Sequence, residues 1–384
     1  MEKLLEFLLL IVTVAASSYV LAKACNSFEG AADWLGRKLP PGVKGATINA
    51  IGSSLPELFT TIALLFFIGG DEVLGAGIAV TAGSAVFNSD IIPCLCIIFV
   101  TAPALARLLV RVGTLGFIRM KQEWHTTESF EIDKPALIRD GIAVIFAEAV
   151  LIFLLGKSTL TWVDGAILMA IYLPYVGLMA WQSSRYPVVQ DTEVSHHVAH
   201  VERLPVGKTI IEFDFNSLYF GGAHYESGKA HRPWIVLLSA VAIISVACYV
   251  LGETIVKSAE LLGVHAMVTA LFLGAAASSV PDTILSIKDS MKGNHNDAIS
   301  NAVGSNTFDI CVALGFPLFL YGMTKGTIPM PEHDSVLGLR IALVVVTTVI
   351  LSTFLIPKRV RFWQAIVLAI LYIAWTVFII STEV

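Results

Sequence analysis

Charged side chains are scarce in this sequence of 384 residues. Asp, Glu, Lys and Arg make up only 14% of it, against about 25% in a typical soluble domain. Hydrophobic residues make up 56%. The composition therefore predicts a polytopic membrane protein whose surroundings are the lipid bilayer. A net charge of −5 offers no basic surface, so we expect no nucleic-acid partner.

Cysteines and catalytic motifs are also few. The five cysteines, Cys25, Cys94, Cys96, Cys248 and Cys311, show no zinc-ligand spacing, and their odd number argues against a disulfide framework. No nucleophile–base arrangement and no phosphate-binding loop is evident. We therefore expect neither an enzyme nor an ATP-driven pump, with no cofactor and no obligate protein partner.

The first apolar run, 7–22, lacks the basic residues that precede the apolar core of a signal peptide. Its flank holds Glu2, Lys3 and Glu6. We interpret this run as the first membrane helix.

Long apolar runs recur along the chain. A bilayer core requires about 20 apolar residues per helix. The candidate spans are 4–24, 43–68, 73–100, 137–156, 161–181, 234–252, 263–287, 296–322, 337–356 and 362–381. Because irregular backbone is not tolerated in contact with lipid, ten spans predict an all-α fold.

Basic residues lie mainly on one side of these ten spans. Alternate connections hold 20 of the 25 Lys and Arg residues, and such connections face the cytosol. Both termini are therefore expected outside the cytosol, in a plasma or organelle membrane that the sequence does not specify. The longest polar connection, 182–233, is predicted to be a cytosolic linker between two five-helix halves, 1–181 and 234–384.

Two short motifs occur once in each half. GSSLPE at 52–57 matches ASSVPD at 277–282, and GSAVFN at 83–88 matches GSNTFD at 304–309. Five spans separate the members of each pair, so the two copies enter the membrane in opposite directions. This pattern predicts two inverted five-helix repeats with broken helices and a cation site at the midplane of the membrane.

The first motif contains a helix breaker next to an acid. Pro56 and Pro281 each remove a backbone donor, and Gly52 permits a bend, so nearby carbonyls lose their helical partners. A cation can replace those partners, because carbonyl, hydroxyl and carboxylate oxygens are hard ligands. The predicted ligands in this motif are Ser53, Ser54, Glu57, Ser278, Ser279 and Asp282.

The second motif adds polar residues at helical spacing. Ser84 and Asn88, like Ser305 and Asp309, are four residues apart and share a helix face. Asp309 is predicted to be a third carboxylate of the site. Gly83 and Gly304 are interpreted as points of close helix approach.

Two further acids fall at membrane depth. Asp90 points away from the Asn88 face, and two interpretations remain open, a proton-titrating group and a gate. Glu148 has no counterpart in the other half, and a structural role is favoured for it.

At these residues the chain resembles the cation/calcium exchanger superfamily, and within it the potassium-dependent sodium/calcium exchangers. The resemblance covers GAT at 45–47, GSSLPELFT at 52–60 and GSAVFN at 83–88, then SSVPD at 278–282 and DAISNAVGSNTFDI at 297–310. It implies antiport of sodium against calcium through a central site that opens alternately to each side of the membrane.

The resemblance also implies a ligand set for the transported cations. The central acids fall on Glu57 and Asp282, and the acid associated with potassium falls on Asp309, with Asn306 nearby. The other implied ligands of calcium and sodium are Ala50, Ser53, Ser54, Ser84, Asn88, Ala275, Ser278, Ser279 and Ser305.

Some features depart from that family pattern. Ala277 stands where the family usually has glycine, Asp90 stands where it is usually apolar, and the linker has only about fifty residues. A proton/calcium antiporter, a potassium-independent sodium/calcium antiporter and, from a different class, a cation channel selective through its acids therefore stay open as alternatives.

Overall fold

The fold is helical almost throughout. A computed structural model describes residues 2–35, 50–69, 71–111, 124–132, 134–185, 205–222, 225, 231–330, 347 and 352–383. In the first half the helices are α1 Glu2–Leu35, α2 Ala50–Ile62, α3 Asp71–Thr101, α4 Pro103–Arg111, α5 Lys134–Leu155 and α6 Trp162–Arg185. Two short helices, α7 Val206–Ile211 and α8 Phe215–Phe220, lie in the linker.

The second half begins with α9, His231–Leu262, and continues with α10 Ala266–Thr269, α11 Ala275–Ser278, α12 Val280–Met291, α13 His295–Phe308, α14 Gly315–Thr324 and α15 Phe362–Glu383. Three π-helical segments join or extend these helices: π1 Ala63–Ile68 follows α2, π2 Ala270–Gly274 links α10 to α11, and π3 Asp309–Leu314 links α13 to α14. Two-residue strands form two antiparallel pairs, β1 Ser129–Phe130 with β4 Val360–Arg361, and β2 Thr159–Leu160 with β3 Ile328–Pro329.

Among the described residues, seven helices are long and apolar enough to cross a membrane, or eight if α10–α12 count as one bent span. The predicted count of ten is therefore reached only in part. The predicted span 137–156 forms α5, but α5 carries Arg139, Asp140 and Glu148. Most of the predicted span 337–356 lies outside the described residues.

The two motif prolines behave differently. The helix α2 continues through Pro56 without interruption, so the break that the sequence predicts at 52–56 is not observed. One missing hydrogen bond is tolerated in a membrane helix when neighbouring helices supply other contacts. In contrast, Pro281 lies in the first turn of α12, and the chain bends by 43° at Ser279 between α11 and α12.

Gly83 is a point of close helix approach, whereas its counterpart Gly304 is not. A Cβ atom at Gly83 would lie 2.1 Å from the Leu271 carbonyl oxygen and 2.9 Å from the Ala275 Cβ. At Gly304 the nearest atom would be the Tyr175 hydroxyl, at an ordinary 3.5 Å. The prediction of close approach is thus confirmed for Gly83 and wrong for Gly304.

The central element is α3. In the most apolar 18-residue stretch of α3, 78% of the residues are buried, whereas in the corresponding stretch of α1 only 11% are buried. This helix packs against α12, α13, α15, π2 and α11. Since α3 carries the first copy of the second motif, its burial places Ser84 and Asn88 between both copies of the first motif.

Glu148 has the satisfied environment that a structural acid requires. The side chain is buried in α5, and the Thr347 hydroxyl donates a hydrogen bond of 2.6 Å to its Oε1. A buried carboxyl with a local partner can persist without a role in transport.

Candidate functional site

Three acids from three helical segments meet at the centre of the fold. Glu57 lies in α2, Asp282 in the first turn of α12, and Asp309 at the start of π3. All three side chains are fully buried. A π-helical segment is frequent at functional sites because its extra residue redirects a side chain out of the regular helical register.

Ser84 links two of these acids from its position on α3. Its Oγ lies 3.2 Å from Glu57 Oε1 and 3.3 Å from Asp309 Oδ2. Ser279 Oγ lies 2.9 Å from Ser84 Oγ and 3.0 Å from Glu57 Oε1. The Ser84 hydroxyl therefore bridges the carboxylates of Glu57 and Asp309, and the Ser279 hydroxyl adds a second contact to Glu57.

Asn88, one turn further along α3, reaches the remaining acid. Its amide nitrogen lies 3.3 Å from Asp282 Oδ2 and 3.2 Å from Asp309 Oδ2. The same nitrogen is 3.3 Å from both Ser84 Oγ and Ser305 Oγ. Asn88 thus links the two copies of the second motif to each other and to Asp282, the acid of the first motif in the second half of the chain.

The contacts between the two halves are reciprocal. Ser53 of the first half faces the carboxylate of Asp282 in the second. The counterpart of Ser53, Ser278, faces the carboxylate of Glu57, the counterpart of Asp282. Equivalent residues therefore make equivalent contacts across the centre.

Glu57, Asp282, Asp309 and Asn88, together called the acid cluster, contain acceptor oxygens that take part in none of the described hydrogen bonds. Glu57 Oε2, Asp282 Oδ1, Asp309 Oδ1 and Asn88 Oδ1 are buried and have no hydrogen-bond partner within the described residues. In that part of the chain the carboxylates contact hydroxyls and an amide, and none forms an ion pair with Lys, Arg or His. Uncompensated buried carboxylates are unfavourable by several kcal/mol each. The arrangement is therefore chemically suited to bind a cation.

The acids do not by themselves form a preformed metal cluster. Within the described ranges, no group of three or more His, Cys, Asp or Glu side chains has the geometry to hold a metal ion. Serine hydroxyls and the Asn88 amide stand between the carboxylates. A cation here requires ligands of mixed type, which suits calcium with its six to eight oxygens.

Three other sequence-predicted ligands form no hydrogen bond with these carboxylates among the described contacts. Ser54 faces Asp309, but its hydroxyl has no described hydrogen-bond partner. The Ala275 carbonyl accepts hydrogen bonds from the Ser278 hydroxyl at 3.2 Å and the Ser279 amide at 3.0 Å. Ala50 is the first described residue of α2.

Asn306 binds α3 through its amide nitrogen, while its Oδ1 is buried with no hydrogen-bond partner in the described part of the chain. Its amide donates to the Ala85 carbonyl at 3.0 Å and to the Ser89 hydroxyl. These bonds tie α13 to α3. Ser89 is not among the residues predicted from the sequence, although it directly follows the GSAVFN motif and shares its polar character.

Gly52 and Asp90 lie outside the cluster of contacts. A Cβ atom at Gly52 would lie 3.1 Å from Glu29 Cγ and 3.2 Å from Phe28 Cδ1, so this glycine permits close packing of α2 on α1. Asp90 is fully buried near Tyr372 of α15, and neither of its oxygens has a described hydrogen-bond partner.

Comparison with known families gives a match over most of the chain. Residues 7–181 and 232–381 match the family model described as "Sodium/calcium exchanger protein". Only the linker and the termini fall outside the two matched ranges.

A curated relative spans most of the chain. Human sodium/potassium/calcium exchanger 5 is 23% identical over 386 residues, covering 83% of this chain and 69% of that protein. This chain covers between 9% and 41% of the length of seven other curated exchangers.

Two solved structures share the fold. The H+/Ca2+ exchanger CAX superposes with a TM-score of 0.60 at 15% identity, covering 99% of this chain and 86% of that chain. The sodium-calcium exchanger NCX_Mj, soaked with 2.5 mM Na+ and 10 mM Sr2+, superposes with a TM-score of 0.54 at 18% identity. This superposition covers 96% of this chain and 97% of that chain. At these identities the superpositions establish the fold and not the transported ions.

Proposed function

This chain belongs to the sodium/calcium exchanger protein family, and from that premise we propose that it exchanges sodium for calcium across a membrane by alternating access. The observation that carries the proposal is the convergence of Glu57, Asp282 and Asp309 on the shared partners Ser84 and Asn88. Members of this family are integral, multi-pass transporters of cations and not enzymes.

The oxygen chemistry supports calcium and sodium as the transported ions. Calcium binds six to eight oxygens from carboxylates, carbonyls and hydroxyls. The acid cluster offers these types together with four buried oxygens that lack a described hydrogen-bond partner. In this proposal Glu57 and Asp282 supply the charge, and Ser53, Ser278 and Ser279 complete the ligand shell.

Charge compensation couples the two ions. The three carboxylates provide three negative charges, which one calcium with one potassium would balance, as would three sodium ions. The unloaded cluster would remain strongly negative, and moving that charge through a water-poor cavity is unfavourable. Only loaded forms therefore switch sides readily, and the result is exchange without leak.

We propose potassium as a co-transported ion on the basis of Asp309. The Asp309→Asn variant removes one charge and is expected to abolish potassium stimulation while sodium-driven calcium uptake persists. Initial uptake rates at several potassium concentrations measure this effect. Glu148→Gln is the matched control, because it neutralises a buried acid outside the cluster and should keep the potassium dependence. An Asp309→Asn protein that still responds to potassium would contradict this role.

A proton/calcium antiporter is the second candidate. One observation favours it: Asp90 is fully buried, and neither of its carboxyl oxygens has a hydrogen-bond partner within the described residues. In this alternative, protons replace sodium as the driving ion.

One transport experiment separates the candidates. Purified protein is reconstituted into vesicles loaded with sodium and diluted into sodium-free medium that contains calcium-45. The proposal expects uptake that disappears when choline replaces internal sodium. Measuring the same uptake with and without potassium tests co-transport. Measuring it in choline-loaded vesicles with an imposed pH gradient tests proton coupling. Uptake driven by the pH gradient but not by sodium would overturn the sodium proposal.

A further inference from the structure

The short helices α7 and α8 of the linker are bound to α1. The Tyr19 hydroxyl donates to the Ile211 carbonyl at 3.3 Å, and the Ser27 hydroxyl donates to the Phe213 carbonyl at 2.6 Å. Between these contacts, Lys23 forms an ion pair with Glu212. Three successive turns of α1 thus hold consecutive residues of the linker.

The other end of the same linker segment reaches α9 and the end of α1. The Arg232 guanidinium at the start of α9 lies 5.1 Å from the centre of the Phe220 ring. The Trp34 indole nitrogen donates to the Tyr225 carbonyl at 3.0 Å. Since α1 also packs along α9, residues 205–222 and Tyr225 join two membrane helices at one end of their shared interface.

The position of α7 along α1 gives its depth. No charged residue occurs between Glu6 and Lys23, so Lys23 marks where α1 leaves the apolar layer. Tyr19 lies about 6 Å further into that layer, at 1.5 Å per residue. The contact between Tyr19 and Ile211 therefore sets the end of α7 at the boundary between acyl chains and headgroups.

The outer surface of α7 is apolar at this depth. Val206, Ile210 and Ile211 are 68%, 54% and 61% exposed. Of the residues of α7, Thr209 alone is buried. Apolar side chains next to a basic residue such as Lys208 are typical of segments that lie in the plane of the membrane interface.

We propose that Val206, Ile210 and Ile211 insert into the lipid interface, so that residues 205–222, together with Tyr225, form a membrane-bound brace between α1 and α9. The partner of this surface is the bilayer itself. The linker is thus a fixed structural element over this range and not a free cytosolic loop.

The brace contacts α1, and α1 in turn contacts both copies of the first motif. Phe28 and Glu29 pack on Gly52 in the first motif. The Ser18 hydroxyl lies 3.5 Å from the Ala277 carbonyl in the second copy of that motif. Holding α1 therefore restrains both copies at once.

Lipid contact is tested by fluorescence quenching in vesicles. All five native cysteines are buried, so an introduced cysteine can be labelled selectively with a fluorophore. Ile210→Cys and Val206→Cys each report the proposed surface, and Lys208→Cys, on the opposite side of α7, is the matched control. With nitroxide groups near the headgroups of phosphatidylcholine, we expect at least about threefold more quenching at the apolar positions than at Lys208→Cys, as expected for an amphipathic helix at the interface.

Equal quenching at these positions would overturn the lipid contact, and this measurement does not depend on what the protein transports. If the substituted proteins fail to fold, hydrogen exchange on the unmodified chain decides. Amides of α7 that exchange equally fast in phosphatidylcholine vesicles and in detergent contradict the proposal, whereas slower exchange in vesicles supports it.

The brace itself is tested by charge reversal, a measurement that rests on the proposed exchange function. Lys23→Glu and Glu212→Lys should each slow calcium uptake about threefold to fivefold, as one partly exposed ion pair can account for. The double variant should restore the rate to within about twofold, since the two sites act as one unit. Additive losses in the double variant would overturn the brace and leave the proposed function intact.

Discussion

Glu57→Gln and Asp282→Asn are each expected to reduce sodium-driven calcium uptake by at least about 100-fold. Each substitution keeps the side-chain volume but removes one of the two carboxylates that the proposal assigns to calcium, whereas Asp309 is assigned to potassium. Charge-assisted contacts contribute about 1.5–3 kcal/mol each, so losing a charged calcium ligand weakens binding of the ion whose exchange is measured. Initial rates of calcium-45 uptake into sodium-loaded vesicles measure the effect.

Glu148→Gln provides the matched control for these two variants. Glu148 is as buried as Glu57, but its partner is Thr347 and it contacts none of the three acids in the described contacts. Uptake by Glu148→Gln should stay within about twofold of the unmodified protein, since removing one local hydrogen bond affects mainly stability. Retained exchange in Glu57→Gln or Asp282→Asn would contradict the assignment of the cluster.

The second large effect is expected from a single methyl group. Gly83→Ala should destabilise the protein by about 3 kcal/mol or more, at the upper end of overpacking effects. The added Cβ would stand 2.1 Å from the backbone oxygen of Leu271, and a backbone atom between two packed helices cannot rotate away. The apparent melting temperature in detergent should fall by roughly 5 °C or more.

The other half of the chain contains the control for Gly83. Gly304→Ala occupies the equivalent motif position, where a Cβ would meet only the Tyr175 hydroxyl at 3.5 Å. Because alanine favours helix by up to about 1 kcal/mol over glycine, this variant should match or slightly exceed the unmodified protein in melting temperature. Equal destabilisation by both substitutions would mean that α3 does not approach π2 as described.

The repeated motifs contained most of the information about the centre of the fold. Equivalent acids at 57 and 282, each following two serines and a proline, predicted that two distant parts of the chain meet. The structure places Glu57 against Ser84 and Ser279, places Asp282 against Asn88, and joins the two sets of contacts through the hydrogen bond between Asn88 and Ser84. That these residues bind cations stays a prediction, to be tested by the variants above.

The sequence does not show that equivalent residues of the two halves have different local structures. Proline alone predicted a break at both 56 and 281, yet the helix continues at Pro56 and bends at Ser279. Whether the helix continues or bends at a proline depends on which neighbouring groups contact the backbone carbonyls that the proline leaves without a helical partner. Those neighbours are set by the tertiary structure and not by the local sequence. The π-helical segments and the different surroundings of Gly83 and Gly304 depend on tertiary packing in the same way.

Asn306 illustrates a second limit of motif analysis. A motif identifies a polar side chain near the site but not the direction in which it points. The Asn306 amide nitrogen donates to Ala85 and Ser89 of α3, so only its Oδ1, which has no described hydrogen-bond partner, stays available to a cation. The rotamer and the neighbouring helix decide this direction, and neither follows from spacing along the chain.

The central claim is that two copies of one motif bring their acids together around a transported cation. An experimental structure of the calcium-loaded protein in a lipid environment tests it most directly. We expect an ion with carboxylate oxygens of both Glu57 and Asp282 at about 2.3–2.6 Å, the range of calcium–oxygen bonds. An ion bound elsewhere, or either carboxylate turned toward the acyl chains, would contradict the claim.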